Sequence, residues 1–126
     1  MLTVLMVGLG GFVGAVLRYG INLWAQGWTR GIFPVGTFLV NLIGCLFIGL
    51  LSQMVESQNF FKPEMRMFIF MGLLGALTTF STFGMDTINL LQENRFLHAL
   101  MNIAIHLVFG LGFVWLGRLL AGQLWE

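Results

Sequence analysis

Four stretches of the chain, residues 1–17, 31–55, 67–85 and 96–117, contain no aspartate, glutamate, lysine or arginine. Each comes close to the ~20 residues that a helix needs to cross the hydrocarbon layer of a bilayer. Only 9% of all residues are charged, against about 25% in an ordinary soluble domain. The pattern predicts an all-α integral membrane protein with four transmembrane helices.

The spans fall at roughly residues 3–25, 36–54, 64–91 and 97–121, and residues 1–126 form a single domain. Pro34 and Gly36 mark re-entry into the second span, and Pro63 suits the first turn of the third. Trp24, Trp28, Trp115 and Trp125 lie near span ends, where amphipathic rings prefer to sit. The first run reads as a span rather than a signal peptide, since it lacks a basic start and three further spans follow.

Several function classes drop out. Cys45 is the only cysteine, which excludes disulfide frameworks and thiolate metal clusters within one chain. Net charge is +1 with no basic block, so nucleic acid is not a partner. "GLGGFVG" has valine at position 13, where a dinucleotide fingerprint needs its third glycine, and no strand precedes it. No catalytic constellation appears, and an enzyme is not expected.

Charge placement bears on assembly. Lys62, Arg66 and Arg118 fall on one side of the membrane, and Arg18, Arg30 and Arg95 on the other. Orientation is set by a Lys/Arg bias, and three against three is no bias. Such a chain can insert either way round, and two opposed copies can pair about a two-fold axis in the membrane plane. Small residues permit close helix contact at Gly8, Gly10, Gly11 and Gly14 in span one and at Gly72, Gly75 and Ala76 in span three.

The polar residues within the spans are few. Thr78, Thr79, Ser81 and Thr82 crowd into five positions after Gly75. Hydroxyls of this kind bond to nearby backbone, and the segment reads either as a break near the middle of the third helix or as a continuous helix with back-bonded hydroxyls. A break in lipid needs protein, ion or water to satisfy its peptide groups. Phe80 and Phe83 would share a face if the helix resumed, serving as packing or as ring edges towards an anion. Asn41 sits mid-span and must find a partner, either an anion or a neighbouring helix. Asn102 and His106 are one turn apart on one face of span four. Arg18 closes span one as a snorkelling or anion-collecting cation. Asp86 is read as pairing with a basic residue or capping a local break.

"GGFVGAVLRY" (10–19), "GTFLVNLIGCLFIG" (36–49) and "GLLGALTTFSTFG" (72–84) resemble the three signature segments of the Fluc/CrcB family of small bacterial fluoride channels. The likeness covers essentially the whole chain. It implies a passive, highly selective fluoride exporter of the bacterial inner membrane that limits fluoride toxicity. It further implies an antiparallel, dual-topology homodimer with two pores and a broken third helix at the dimer centre. There the carbonyls of Gly75 and Thr78 from each subunit would hold a structural sodium ion (Na+). The same resemblance makes Phe80 and Phe83 ring edges along the fluoride path, Asn41 a side-chain donor, Thr79, Ser81 and Thr82 hydroxyl contacts, and Arg18 a vestibule or assembly residue.

The chain departs from the family at two places. Ala76 follows Gly75 where two glycines are usual, and the fourth span has no serine or threonine. Asn102 and His106 are the polar side chains left to act on the exit side. Two other classes match the size and charge balance, a small dual-topology multidrug or cation antiporter and a non-transporting assembly protein. The antiporter needs a membrane-embedded carboxylate, which spans one, two and four lack.

Overall fold

A computed structural model of the chain describes residues 1–125, apart from the side chain of Trp125, whose expected place at a span end lies outside what is described. Four segments are long and apolar enough to cross a membrane: Leu2–Ala25, Val35–Gln58, Pro63–Gln92 and Phe96–Leu124. The first two are single helices, α1 (Leu2–Ala25) and α2 (Val35–Gln58), and the last is α6 (Phe96–Trp125). The third span is composite. It starts as α3 (Pro63–Arg66), winds as a π-helix over Met67–Leu74, returns to α-helix in α4 (Gly75–Leu77) and resumes after a gap as α5 (Phe80–Gln92).

The span ends follow from local chemistry. Pro63 occupies the first turn of α3, where its missing N–H costs no hydrogen bond. α2 runs past the expected residue 54 to Gln58, with the Ser52 hydroxyl turned back onto the Gly49 carbonyl 3.0 Å away. It stops at Asn59, which takes the left-handed conformation at φ 53°, a role asparagine fills more readily than most residues. Arg66 then clasps the connection, its guanidinium bonded to the Phe61 carbonyl at 3.1 Å and to the Asn59 side chain.

Helix pairing is governed by small residues. α1 lies against the π segment, where a Cβ on Gly10 would run into the Phe68 carbonyl and one on Gly14 into the Leu73 carbonyl. α2 lies along α6, with Gly49 facing the Val114 backbone and Gly117 facing the Leu46 carbonyl. In lipid, where apolar side chains gain little by leaving the solvent, such backbone approach supplies much of the association energy. The Gly10/Gly14 pair predicted from sequence is a packing surface, and the Gly49/Gly117 contact is its unpredicted counterpart. Ala76 is accommodated because its methyl sits opposite Gly14.

The apolar interior is small: Val40, Leu74 and Leu77 form its centre, with Ile43, Leu73 and Phe70 packed around them. Most large apolar side chains face outwards, as expected of a subunit whose surroundings are lipid or a second membrane chain. Its four spans make the chain a multi-pass membrane protein.

Candidate functional site

The helix gap falls on two residues. Thr78 (φ −85°, ψ 155°) and Thr79 (φ −152°, ψ 116°) are both extended. The continuous helix left open by the sequence is therefore absent, and the gap opens within the hydroxyl cluster. Thr78 still bonds backwards, its hydroxyl donating to the Leu74 carbonyl at 3.0 Å. Thr79 caps α5 by accepting from the Thr82 N–H at 3.2 Å.

Two amides are diverted here from their helical partners. In a continuous helix the Thr79 N–H would point at the Gly75 carbonyl and the Thr82 N–H at the Thr78 carbonyl. Instead, the Thr79 N–H donates to Asn41 Oδ1 at 2.7 Å and the Thr82 N–H to Thr79 Oγ1. The Gly75 and Thr78 carbonyls thus lose the amides that helix continuity would have brought them. Asn41 completes the exchange, its Nδ2 donating to the Thr79 carbonyl at 3.1 Å.

A cleft of about 370 Å³ opens over this point, lined by Asn41, Cys45, Thr78, Thr79, Phe80 and Phe83 together with His106. Phe80 is 83% exposed, so most of its ring is left uncovered by the chain. Its centroid lies 5.5 Å from that of Phe83, tilted by 48°. Phe83 in turn meets the His106 ring at 4.5 Å, and Phe38 closes on the same imidazole edge-on at 5.4 Å. His106 Nδ1 is 2.9 Å from the Asn102 carbonyl, whereas Nε2 is buried without a partner.

A second cleft, of about 380 Å³, lies at the end of the bundle beside Asn22, Thr29, Thr37, Thr82, Asp86 and Glu93. Of the two acids in its lining, Glu93 is paired with Arg95 at 3.4 Å. The hydroxyls of Thr79 and Thr82, 3.0 Å apart, link the two clefts, and Ser81 joins them at 3.2 Å from Thr79 Oγ1.

The fold thus brings Asn41, Gly75, Thr78, Thr79, Phe80, Phe83 and His106 to one cleft, with Ser81 and Thr82 adjoining. Two candidates sit elsewhere. Asn102 is fully buried and donates to Thr87 Oγ1 at 2.9 Å, its own Oδ1 left without a donor. Arg18 is half-buried on α1 and lines neither cleft.

Asp86 corrects a sequence expectation. It neither meets a basic residue nor caps the break; it accepts the Thr37 hydroxyl at 2.7 Å. Thr37 was overlooked, although it lies one helical turn before Asn41 and so on the same face of α2. Among the described residues no group of three or more His, Cys, Asp or Glu side chains could hold a metal.

The chain has relatives among known proteins. The model of the family described as CrcB-like protein, Camphor Resistance (CrcB), matches residues 5–118. Fluoride-specific ion channel FluC 1 of Methanosarcina acetivorans is 41% identical over 121 residues, 96% of this chain and 92% of that one. Fluoride-specific ion channel FluC of Flavobacterium psychrophilum is 40% identical over 98% of this chain and its own full length. The FluC protein of Shewanella sp. W3-18-1 is 43% identical over 94% of each.

Proposed function

Because the chain belongs to the FluC/CrcB family of fluoride channels, we propose that it is a passive, selective fluoride channel whose ion path runs beside the break at Thr78 and Thr79. The observation that carries this reading is the pair of diverted amides. They leave carbonyls, hydroxyls and the exposed Phe80 ring on one face in mid-span, where lipid alone could not satisfy them.

Fluoride is small and strongly hydrated, so it enters a membrane path only if donors replace its water. In this proposal the second hydrogen of Asn41 Nδ2, the hydroxyls of Thr79, Ser81 and Thr82, and the edges of Phe80 and Phe83 do so in succession. None of these carries a full positive charge, so the ion is not trapped. On the fourth helix, where no hydroxyl is available, His106 lines the cleft while Asn102 holds α6 to Thr87, and Arg18 gathers anions or supports assembly outside the cleft.

The uncovered face carrying Phe80 and Gly75 belongs, in this reading, against a second copy in the opposite orientation. The balanced lysine and arginine count supports that arrangement, which yields two pores. The carbonyls of Gly75 and Thr78 would hold a structural sodium ion at the dimer centre. Their loss of helical amides supports the fit, since two oxygens per subunit suit a hard cation. The sodium would supply a fixed positive charge and pin the interface.

The test is anion efflux from liposomes containing only the purified protein, with fluoride and chloride followed separately and an ionophore present. Fluoride loss with chloride retained, impaired in Phe80→Ile and Asn41→Asp, is the expected result. Intact dimers that pass no fluoride would sink the assignment.

A further inference from the structure

α2 and α6 cross the membrane in opposite to-and-fro sense to their neighbours and meet along the Gly49 and Gly117 contact. The first charged residues beyond their charge-free runs, 31–55 and 96–117, are Glu56 and Arg118. These two mark one membrane boundary, where hydrocarbon gives way to headgroups. There they pair, Arg118 donating to Glu56 Oε1 at 3.1 Å and to Oε2 at 2.7 Å. Beside the pair a groove of about 410 Å³ opens between α2 and α6, lined by Gln53, Trp115, Arg118, Leu119, Gly122 and Gln123.

The groove faces lipid. Trp115 follows His106 by nine residues, about two and a half helical turns, so it points away from the cleft that His106 lines. The indole is 67% exposed. Inward from it, Leu111 and Val108 continue the same exposed stripe at helical spacing, an apolar track leading from the groove towards the bilayer centre. A Cβ on Gly122 would meet nothing within 4 Å, so the groove floor is open. Among the described residues, the Trp115 indole N–H and the Gln53 and Gln123 amides have no hydrogen-bond partner.

We propose that this groove holds the headgroup of a bilayer lipid that carries a phosphate and a primary ammonium, a phosphatidylethanolamine, with its acyl chains along Leu111 and Val108. Charge complementarity selects that headgroup. Arg118 and Glu56 are fixed side by side and neutral as a pair, which suits a zwitterion better than an anionic lipid. Two of the five guanidinium N–H groups are spent on Glu56, and the rest remain for a phosphate together with the indole N–H. Each Glu56 oxygen has accepted one bond from Arg118 and keeps a lone pair for an ammonium. A choline headgroup has no N–H to give, and a glycerol headgroup has no cation. The bound lipid would bridge α2 to α6. The reading requires only that the chain lies in a membrane, whether or not it passes fluoride.

Native mass spectrometry tests this on protein released from nanodiscs holding equal parts of phosphatidylethanolamine, phosphatidylcholine and phosphatidylglycerol of matched chains. The wild type should retain the ethanolamine lipid about fivefold over either competitor, the worth of one exposed ion pair. Retention should fall across the N-methylated series as methyl groups replace the ammonium hydrogens. Glu56→Gln should abolish the preference over choline lipid. Gly122→Leu keeps both charges but fills the groove, and should lose the bound lipid while the helices stay paired. Equal retention of the three lipids by the wild type, the mark of bulk lipid only, overturns the proposal. So does retention that is flat across the methylated series, or a preference that survives unchanged in both variants.

Discussion

Asn41 and Thr79 exchange two hydrogen bonds across the helix break, Thr79 N–H to Oδ1 at 2.7 Å and Nδ2 to the Thr79 carbonyl at 3.1 Å. A side chain of α2 thus takes both backbone groups that a continuous third helix would have kept for itself. Asn41→Leu keeps similar bulk and strands both. With each unpaired group costing about 1–3 kcal/mol, the protein should lose much of its stability. Thermal unfolding in detergent would show it as a large fall in midpoint, and an unchanged midpoint would mean that the break does not depend on this pair.

Thr37 and Asp86 form a similar link nearer the polar cleft. Thr37→Val leaves the carboxylate without its donor and should destabilise by about 1–3 kcal/mol. Adding Asp86→Leu should recover part of that loss, because no unpaired acid then remains. A double-mutant cycle read by denaturation measures the coupling, and simple additivity would argue against it.

Gly14→Leu should prevent α1 from docking on the π segment, since even a Cβ there meets the Leu73 carbonyl. Overpacking against backbone costs about 3 kcal/mol, and little folded protein should survive purification. Gly8→Ala is the control within the subunit, having nothing within 4 Å of the added methyl. Equal yields of the two variants would contradict the packing described.

Orientation is testable in cells. A reporter fused to the C-terminus should reveal copies on both sides of the membrane, given three basic residues on each. Ser57→Lys, at the end of α2, should draw that end towards the cytoplasm, and Gln26→Lys the opposite end. A wild-type reporter found on one side alone would rule out dual topology.

Sodium replacement probes the released carbonyls. Protein prepared with N-methylglucamine as the only cation should show weaker dimerisation by analytical ultracentrifugation, restored by sodium. The effect should vanish in no single side-chain variant of Thr78, because the proposed ligand is its backbone oxygen. Dimers of identical strength without sodium would remove the ion from the centre.

Much of this was legible in the order of residues. The four spans, the Pro63 start and the Gly10/Gly14 contact follow from lipid partitioning and from backbone chemistry a few residues wide. The hydroxyls at Thr78–Thr82 marked where the third helix would weaken, because a side chain competing for its own neighbouring backbone is a local effect. The Phe80–Phe83 pairing came with the helix that resumes there.

Docking decided the rest. Which carbonyls the break releases depends on Asn41, 38 residues from Thr79, and the partner of Asp86 is Thr37, 49 residues away. Asn102 and His106, adjacent on one face by periodicity, part company because the rotation of α6 buries one against Thr87 and leaves the other on the cleft. Span position is a property of each segment in lipid, whereas a polar side chain in a span takes its partner from how the helices are turned towards one another.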